Sequence, residues 1–150
     1  MRALVDTSFL SAFYFPRVGS EQAIQKMEAT RESPVVSSLV RDEFQQTVWF
    51  KVWLDSNGHA SGVSQQTAQS VLAACDLDVV RGVWQVVDAD LDPLLARAER
   101  LVLSHTLRSG ARAVDILHVA AALETGAEEL LSFDRNQRQI ALAENLAVFP

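Results

Sequence analysis

Short apolar runs alternate along this chain with longer stretches whose apolar residues recur every three or four positions. The short runs read as buried strands and the longer ones as amphipathic helices. The spacing predicts strands over 2–6, 34–37, 83–87, 129–132 and 146–149. It predicts helices over 7–15, 20–31, 38–55, 63–79, 92–109, 113–125 and 135–144. Such an alternation is the signature of a parallel sheet wrapped by helices. The expected fold class is therefore α/β, with three layers (α/β/α) around a central, mostly parallel sheet of about five strands.

Local punctuation agrees with these spans. Pro16 stops the first helix, and Ser38 is placed to cap the third. The polar segment from Asp55 to Gly62 separates two long helices. Asp92-Pro93 sets a capping acid before a proline at the first helical position, and Gly126 can close the helix that begins near Ala113. There is no repeat, low-complexity segment or linker, so residues 1–150 are expected to form one domain.

Nearly half of the 150 residues are apolar, enough for a substantial core. The formal net charge of −6 argues against binding through a broad basic surface. It leaves open a nucleic-acid site neutralised by metal ions. Cys75 is the single cysteine, which excludes an internal disulfide and fits a reducing compartment. Its apolar neighbours mark it as a small buried hydrophobe. Asp6 interrupts the apolar N-terminal run, so a signal peptide is not expected. No apolar stretch reaches the roughly 18 residues of a membrane span. A cytoplasmic location is expected.

Four carboxylates change the picture. Asp6 closes the apolar run Ala3-Leu4-Val5, and Asp134 follows Leu130-Leu131-Ser132-Phe133. In open parallel sheets, ligands bind beyond the carboxyl ends of the strands, where both acids lie. Glu43 follows a third strand by about two helical turns. At about 100° per residue it falls between Leu39, Val40, Phe50 and Leu54, whereas Asp42 points elsewhere. Asp115 stands in the first turn of Val114-Asp115-Ile116-Leu117-His118-Val119-Ala120-Ala121-Ala122-Leu123, which is apolar nearly all round. The helix dipole favours an anion there by about 0.3–1 kcal/mol, too little to offset several kcal/mol of desolvation. Buried acids need a positive partner, and the only lysines, Lys26 and Lys51, lie in predicted helices. Magnesium fits this oxygen-rich inventory, and manganese fits the same site. No Cys/His spacing suggests zinc. Such a cluster can activate water for phosphodiester hydrolysis. Thr7, Ser8, Ser132 and Asn136 are close enough in sequence to orient metal-bound waters.

The remaining polar and aromatic residues divide between packing and recognition. His118 lies three residues after Asp115 and is read chiefly as a core histidine, with a ligand role as the alternative. His105 is read as packing and His59 as a solvated loop residue. Arg108 and Arg112 flank Gly110 just before the Asp115 helix, where they could hold substrate phosphates near the metal. Arg41 and Arg135 are weaker choices for that role. Most of Phe9, Phe13, Tyr14 and Phe15 should be core. Trp49 and Trp53 point away from the Glu43 face, so part of this aromatic set is a possible dimer or partner groove.

At these residues the chain resembles the PIN-domain nucleases, and among them the VapC-type toxins of toxin–antitoxin pairs. The likeness is carried by Val5-Asp6-Thr7-Ser8-Phe9-Leu10, by Ser37-Ser38-Leu39-Val40-Arg41-Asp42-Glu43-Phe44 and by the Asp115 helix. Leu131-Ser132-Phe133-Asp134-Arg135-Asn136 and the closing Ala141-Leu142-Ala143-Glu144-Asn145-Leu146-Ala147-Val148 complete it. Carried over residue by residue, the family's metal-binding acids map to Asp6, Glu43, Asp115 and Asp134. Ser132 stands where threonine is commoner, and Asn136 where some members have a further acid. The resemblance implies a PIN-like domain with Mg²⁺-dependent endoribonuclease activity, often dimeric and restrained by a small antitoxin protein. A PIN nuclease of RNA processing and an inactive PIN-like binding module are the alternatives. A phosphoaspartyl enzyme fits less well, because Ser8 stands where those phosphatases want a second aspartate.

Overall fold

The computed structural model describes residues 1–150. Its elements follow in the order β1 (Ala3–Val5), α1 (Thr7–Tyr14), α2 (Ser20–Ala29), β2 (Val35–Ser37), α3 (Ser38–Ser56) and α4 (Gln65–Val80). The chain continues through β3 (Gln85–Val87), α5 (Leu91–Ser109), α6 (Ala113–Glu124), β4 (Glu129–Leu131), α7 (Arg135–Ala143) and β5 (Ala147–Phe149). Every expected strand and helix is present. The five strands form one sheet in the order β3-β2-β1-β4-β5, and every pairing is parallel.

Strand alternation sends side chains to two separate cores. Leu4, Val35 and Leu130 face α5, α6 and α7, where Leu94, Leu101, Ile116, Val119 and Ile140 are buried. Ala3, Val5, Val36 and Leu131 face α1–α4, where Phe9, Leu10, Phe44, Val48 and Trp84 are buried. This is the expected three-layer arrangement. The Trp84 indole N–H would be costly to bury alone. It donates to the Tyr14 hydroxyl at 2.7 Å, which in turn donates to Asp78 at 2.7 Å.

Two caps differ from expectation. Ser37, not Ser38, caps α3 by accepting from the Val40 N–H, which frees Ser38 Oγ to accept from the Ala89 N–H. Asp90, not Asp92, caps α5, so Asp92 lies in the first turn. In both places several capping residues stand side by side, and the chain direction entering the helix selects among them.

The strand order creates a switch point at the centre of the sheet. From β1 the chain moves outward through β2 and β3, then returns to β4 on the other side of β1. The loops leaving β1 and β4 therefore diverge and leave a crevice between them, the usual ligand position in such sheets. Val5 pairs with Leu131, so Asp6 and Ser132 emerge side by side one residue further on. The Asp6 N–H donates to the Leu131 carbonyl at 3.1 Å, carrying the ladder up to the crevice.

Candidate active site

Asp6 is both the last residue before α1 and its N-cap: its Oδ1 accepts from the Phe9 N–H at 2.8 Å. It is 0 % exposed. Two serines hold its carboxylate. Ser8 Oγ lies 2.7 and 2.8 Å from the two oxygens, and Ser132 Oγ donates to Oδ2 at 2.7 Å. Each serine also accepts from the β4–α7 turn: Ser8 from the Phe133 N–H at 2.8 Å, Ser132 from the Asp134 N–H at 3.0 Å. The β1 and β4 ends are thus clasped across Asp6. Phe133 reinforces the clasp by stacking on Phe9, with ring centres 6.0 Å apart. Burial pushes the Asp6 carboxyl above its ordinary value, opposed by the Ser132, Ser8 and Phe9 hydrogen bonds and by nearby His118. No salt-bridge cation reaches it.

Asp134 caps α7 with Oδ1, which accepts from the Asn136 and Gln137 N–H groups at 2.8 and 3.0 Å. Its Oδ2 has no protein partner. Gln137 then turns its side-chain amide toward Asp115 Oδ1, at 3.5 Å. Asp115 is also fully buried, and its Oδ2 accepts from the Arg112 N–H at 3.0 Å, reaching back over the start of α6. The Arg112 guanidinium lies 3.4 Å from the same oxygen but is 75 % exposed. It supplies part of the positive charge that the sequence requires beside Asp115. The carboxylate's hydrogen bond in turn raises the arginine's proton affinity.

Glu43 comes from α3, and its side chain is 34 % exposed, less inward-facing than its apolar stripe suggests. Its Oε2 accepts from Thr7 Oγ1 and from His118 Nε2, the latter at 2.6 Å. Its Oε1 has no protein partner. The His118 hydrogen bond chiefly holds the Glu43 carboxyl below its ordinary value, against partial burial.

Hydrogen bonds link Asp6 to the Asp134 turn through Ser132 and Ser8, Asp134 to Asp115 through Gln137, and Glu43 to Thr7 and His118. Asn136 contributes its backbone N–H, and its side chain is engaged by no protein group. Arg112 touches the site, whereas Arg108 stays in the exposed last turn of α5. Arg41 pairs with Asp76 and His105 with Glu144, both outside the crevice. His59 is exposed and stacks on Trp53. His118 is buried as a core histidine would be, but it faces an acid of the site. Gln137 went unmarked in the sequence, although Asp134-Arg135-Asn136-Gln137 has capping-box spacing.

The donor set suits a hard cation: carboxylate oxygens, hydroxyls and amides, with no thiolate. The fully buried Asp6, lacking any cationic partner, is what such an ion would neutralise. As the side chains stand, no three acidic or imidazole groups lie within joint reach of one ion. Binding would have to draw in the half-buried Glu43 and Asp134, whose free oxygens Oε1 and Oδ2 leave room for it.

The chain is similar to Mycobacterium tuberculosis VapC20, a sarcin–ricin loop cleaving toxin, at 21 % identity, with a TM-score of 0.68 and 99 % of both chains covered. It is similar to a chain of FitAcB from Neisseria gonorrhoeae at 15 % identity and a TM-score of 0.67, over 99 % of this chain and 96 % of that one. A chain of Rickettsia felis VapBC2 bound to a promoter DNA fragment matches at 18 % identity and a TM-score of 0.64, over 99 % and 98 %. At these identities the likeness is one of fold. No curated protein sequence matches the chain. The family model of the PIN domain matches residues 3–143, nearly the whole length, and the chain belongs to the PIN domain family.

Proposed function

We propose that this chain is a metal-dependent endoribonuclease, with Mg²⁺ as cofactor and Mn²⁺ able to replace it, and that it acts as the toxin of a toxin–antitoxin pair. The observation that carries this reading is the fully buried Asp6 without a cationic partner, tied through Ser132 to the turn that holds Asp134. Asp6, Glu43, Asp115 and Asp134 would hold the ion. When bound, it would supply Lewis-acid activation of water and charge stabilisation for in-line attack on phosphorus. Ser8 and Ser132 fix the Asp6 carboxylate, and Thr7 fixes Glu43. The exposed guanidinium of Arg112, beside Asp115, is placed to meet an RNA phosphate. Arg108, in the exposed last turn of α5, would reach only a phosphate farther along the RNA, and Asn136 would offer its amide to a water or to substrate.

The similar proteins support the toxin assignment through their own descriptions, and they support an antitoxin partner. Trp49, Phe50 and Trp53 leave an aromatic stripe exposed on α3 that suits a homodimer or antitoxin contact. No helix is long and apolar enough to cross a membrane, which is compatible with action on cytoplasmic RNA.

Expression of the wild type and of Asp115→Asn, followed by mapping of RNA 5′ ends, tests the proposal. Growth arrest with discrete new ends is expected for the wild type only. The products should carry 5′-phosphate and 3′-hydroxyl groups, because water rather than the 2′-hydroxyl attacks. A 2′,3′-cyclic phosphate product would refute the mechanism.

A further inference from the structure

We propose that His118 is a positioning residue for Glu43: it holds one oxygen of that carboxylate so that the other faces the acidic crevice in a single orientation. The proposal rests on the metal-dependent reading above.

His118 is 2 % exposed on α6, whose other buried side chains, Asp115 apart, are alanine and aliphatic. A packing histidine there would be expected to satisfy its ring nitrogens on nearby backbone. Instead its one hydrogen bond crosses 75 positions of sequence to Glu43 Oε2, at 2.6 Å. Its Nδ1 is buried without a partner. A bare ring nitrogen is cheaper to leave unpaired than a buried N–H, and Glu43 can only accept. The proton therefore sits on Nε2, and His118 donates.

Glu43 needs such a donor. A glutamate side chain turns about three bonds, and this one is a third exposed, so packing does not fix it. Thr7 Oγ1 and His118 Nε2 converge on the same oxygen from α1 and α6, on opposite faces of the sheet. Together they leave Oε1 without a protein partner. Groups behind ligating carboxylates set metal affinity in this way. Leucine would fill the same space without the donor, so the two roles can be separated.

Calorimetric titration with Mn²⁺ tests the proposal on the wild type, His118→Leu, His118→Gln, Glu43→Gln and the double variant His118→Leu/Glu43→Gln. His118→Leu should weaken Mn²⁺ binding by about 10- to 100-fold. His118→Gln, whose amide N–H can replace Nε2–H, should recover most of that loss. The double variant should bind no more weakly than Glu43→Gln alone, because the histidine acts through the glutamate. Melting curves in EDTA establish that each variant is folded.

A wild type that fails to bind Mn²⁺ overturns the metal-dependent reading, and this proposal with it. A wild type that binds, with His118→Leu binding equally well, overturns the positioning role alone. So does a folded His118→Gln as weak as His118→Leu. Should His118→Leu not fold, ¹⁵N spectra of the wild-type imidazole still decide. A proton on Nε2 supports the proposal; a proton on Nδ1 alone ends it.

Discussion

Asp6 sets the electrostatics of the crevice at the level of single residues. Its carboxylate is fully buried, and its proton affinity is raised chiefly by that burial. Folding therefore favours the protonated form. The stability this contributes is complete below the ordinary carboxylate value of 3.8 and is lost as pH rises through the raised one. Glu43 has the opposite sign: its lowered value contributes stability above 4.5 that is lost only in stronger acid. The two effects thus fall in different windows. In EDTA, the Asp6 contribution should lower the melting temperature as pH rises above 3.8. Asp6→Asn should flatten that slope, since the amide does not titrate and Ser8 and Ser132 can reorient their hydroxyls toward it. Melting curves across a pH series check this. An undiminished slope in Asp6→Asn would assign the titration to another group.

At the scale of elements, the turn between α3 and α4 depends on Gly62. A β-carbon there would lie 2.2 Å from the Asp55 backbone nitrogen and 2.5 Å from its α-carbon, an overlap that no side-chain rotation relieves. Gly62→Ala should destabilise the fold by about 1–3 kcal/mol or more, read as a lower urea midpoint. Unchanged stability would mean that the connection is free to shift. The elements themselves were legible because strand runs and helical stripes have different periods. What periodicity does not report is what lies opposite a stripe. At 19 residues α3 is about 28 Å long, whereas three-residue strands span about 10 Å, so the helix outruns the sheet. Only Val40, Phe44 and Val48 of α3 are buried. Glu43 shares a stripe with Phe50 and Leu54, but Phe50 lies outside the core, half exposed and stacked on Trp53. The glutamate could therefore be found by its angle while its burial was overestimated. His118 was marked as a core residue for a related reason: the pattern on α6 shows that it is buried, and only the packing of α3 against the far face shows which acid it meets.

For the whole molecule, the property that matters is the strand order. Alternation of strands and helices implies a parallel sheet, but many orders satisfy it, and the family resemblance rather than periodicity connected the four acids. The order β3-β2-β1-β4-β5 puts the ends of β1 and β4 side by side, so Ser132 bridges Asp6 and the Asp134 backbone although 128 positions separate the two acids. Unfolding disperses all four acids. An ion held by them, as proposed, would bind the native state alone, and its binding energy would become folding energy. At a hundredfold excess over its dissociation constant the ion adds about 2.7 kcal/mol. For a chain of this length each kcal/mol raises the melting temperature by about 2–4 °C, so a rise of roughly 5–10 °C is expected in Mn²⁺ relative to EDTA. The same ion should lower the pH sensitivity of the melting temperature, because neutralising Asp6 removes the reason for protonating it. Asp6→Asn should shrink the metal-induced rise, since it removes one of the four charges without emptying space in the core. Differential scanning calorimetry of both proteins, with Mn²⁺ and with EDTA, makes the comparison. An equal rise in wild type and variant would place the ion elsewhere on this acidic chain.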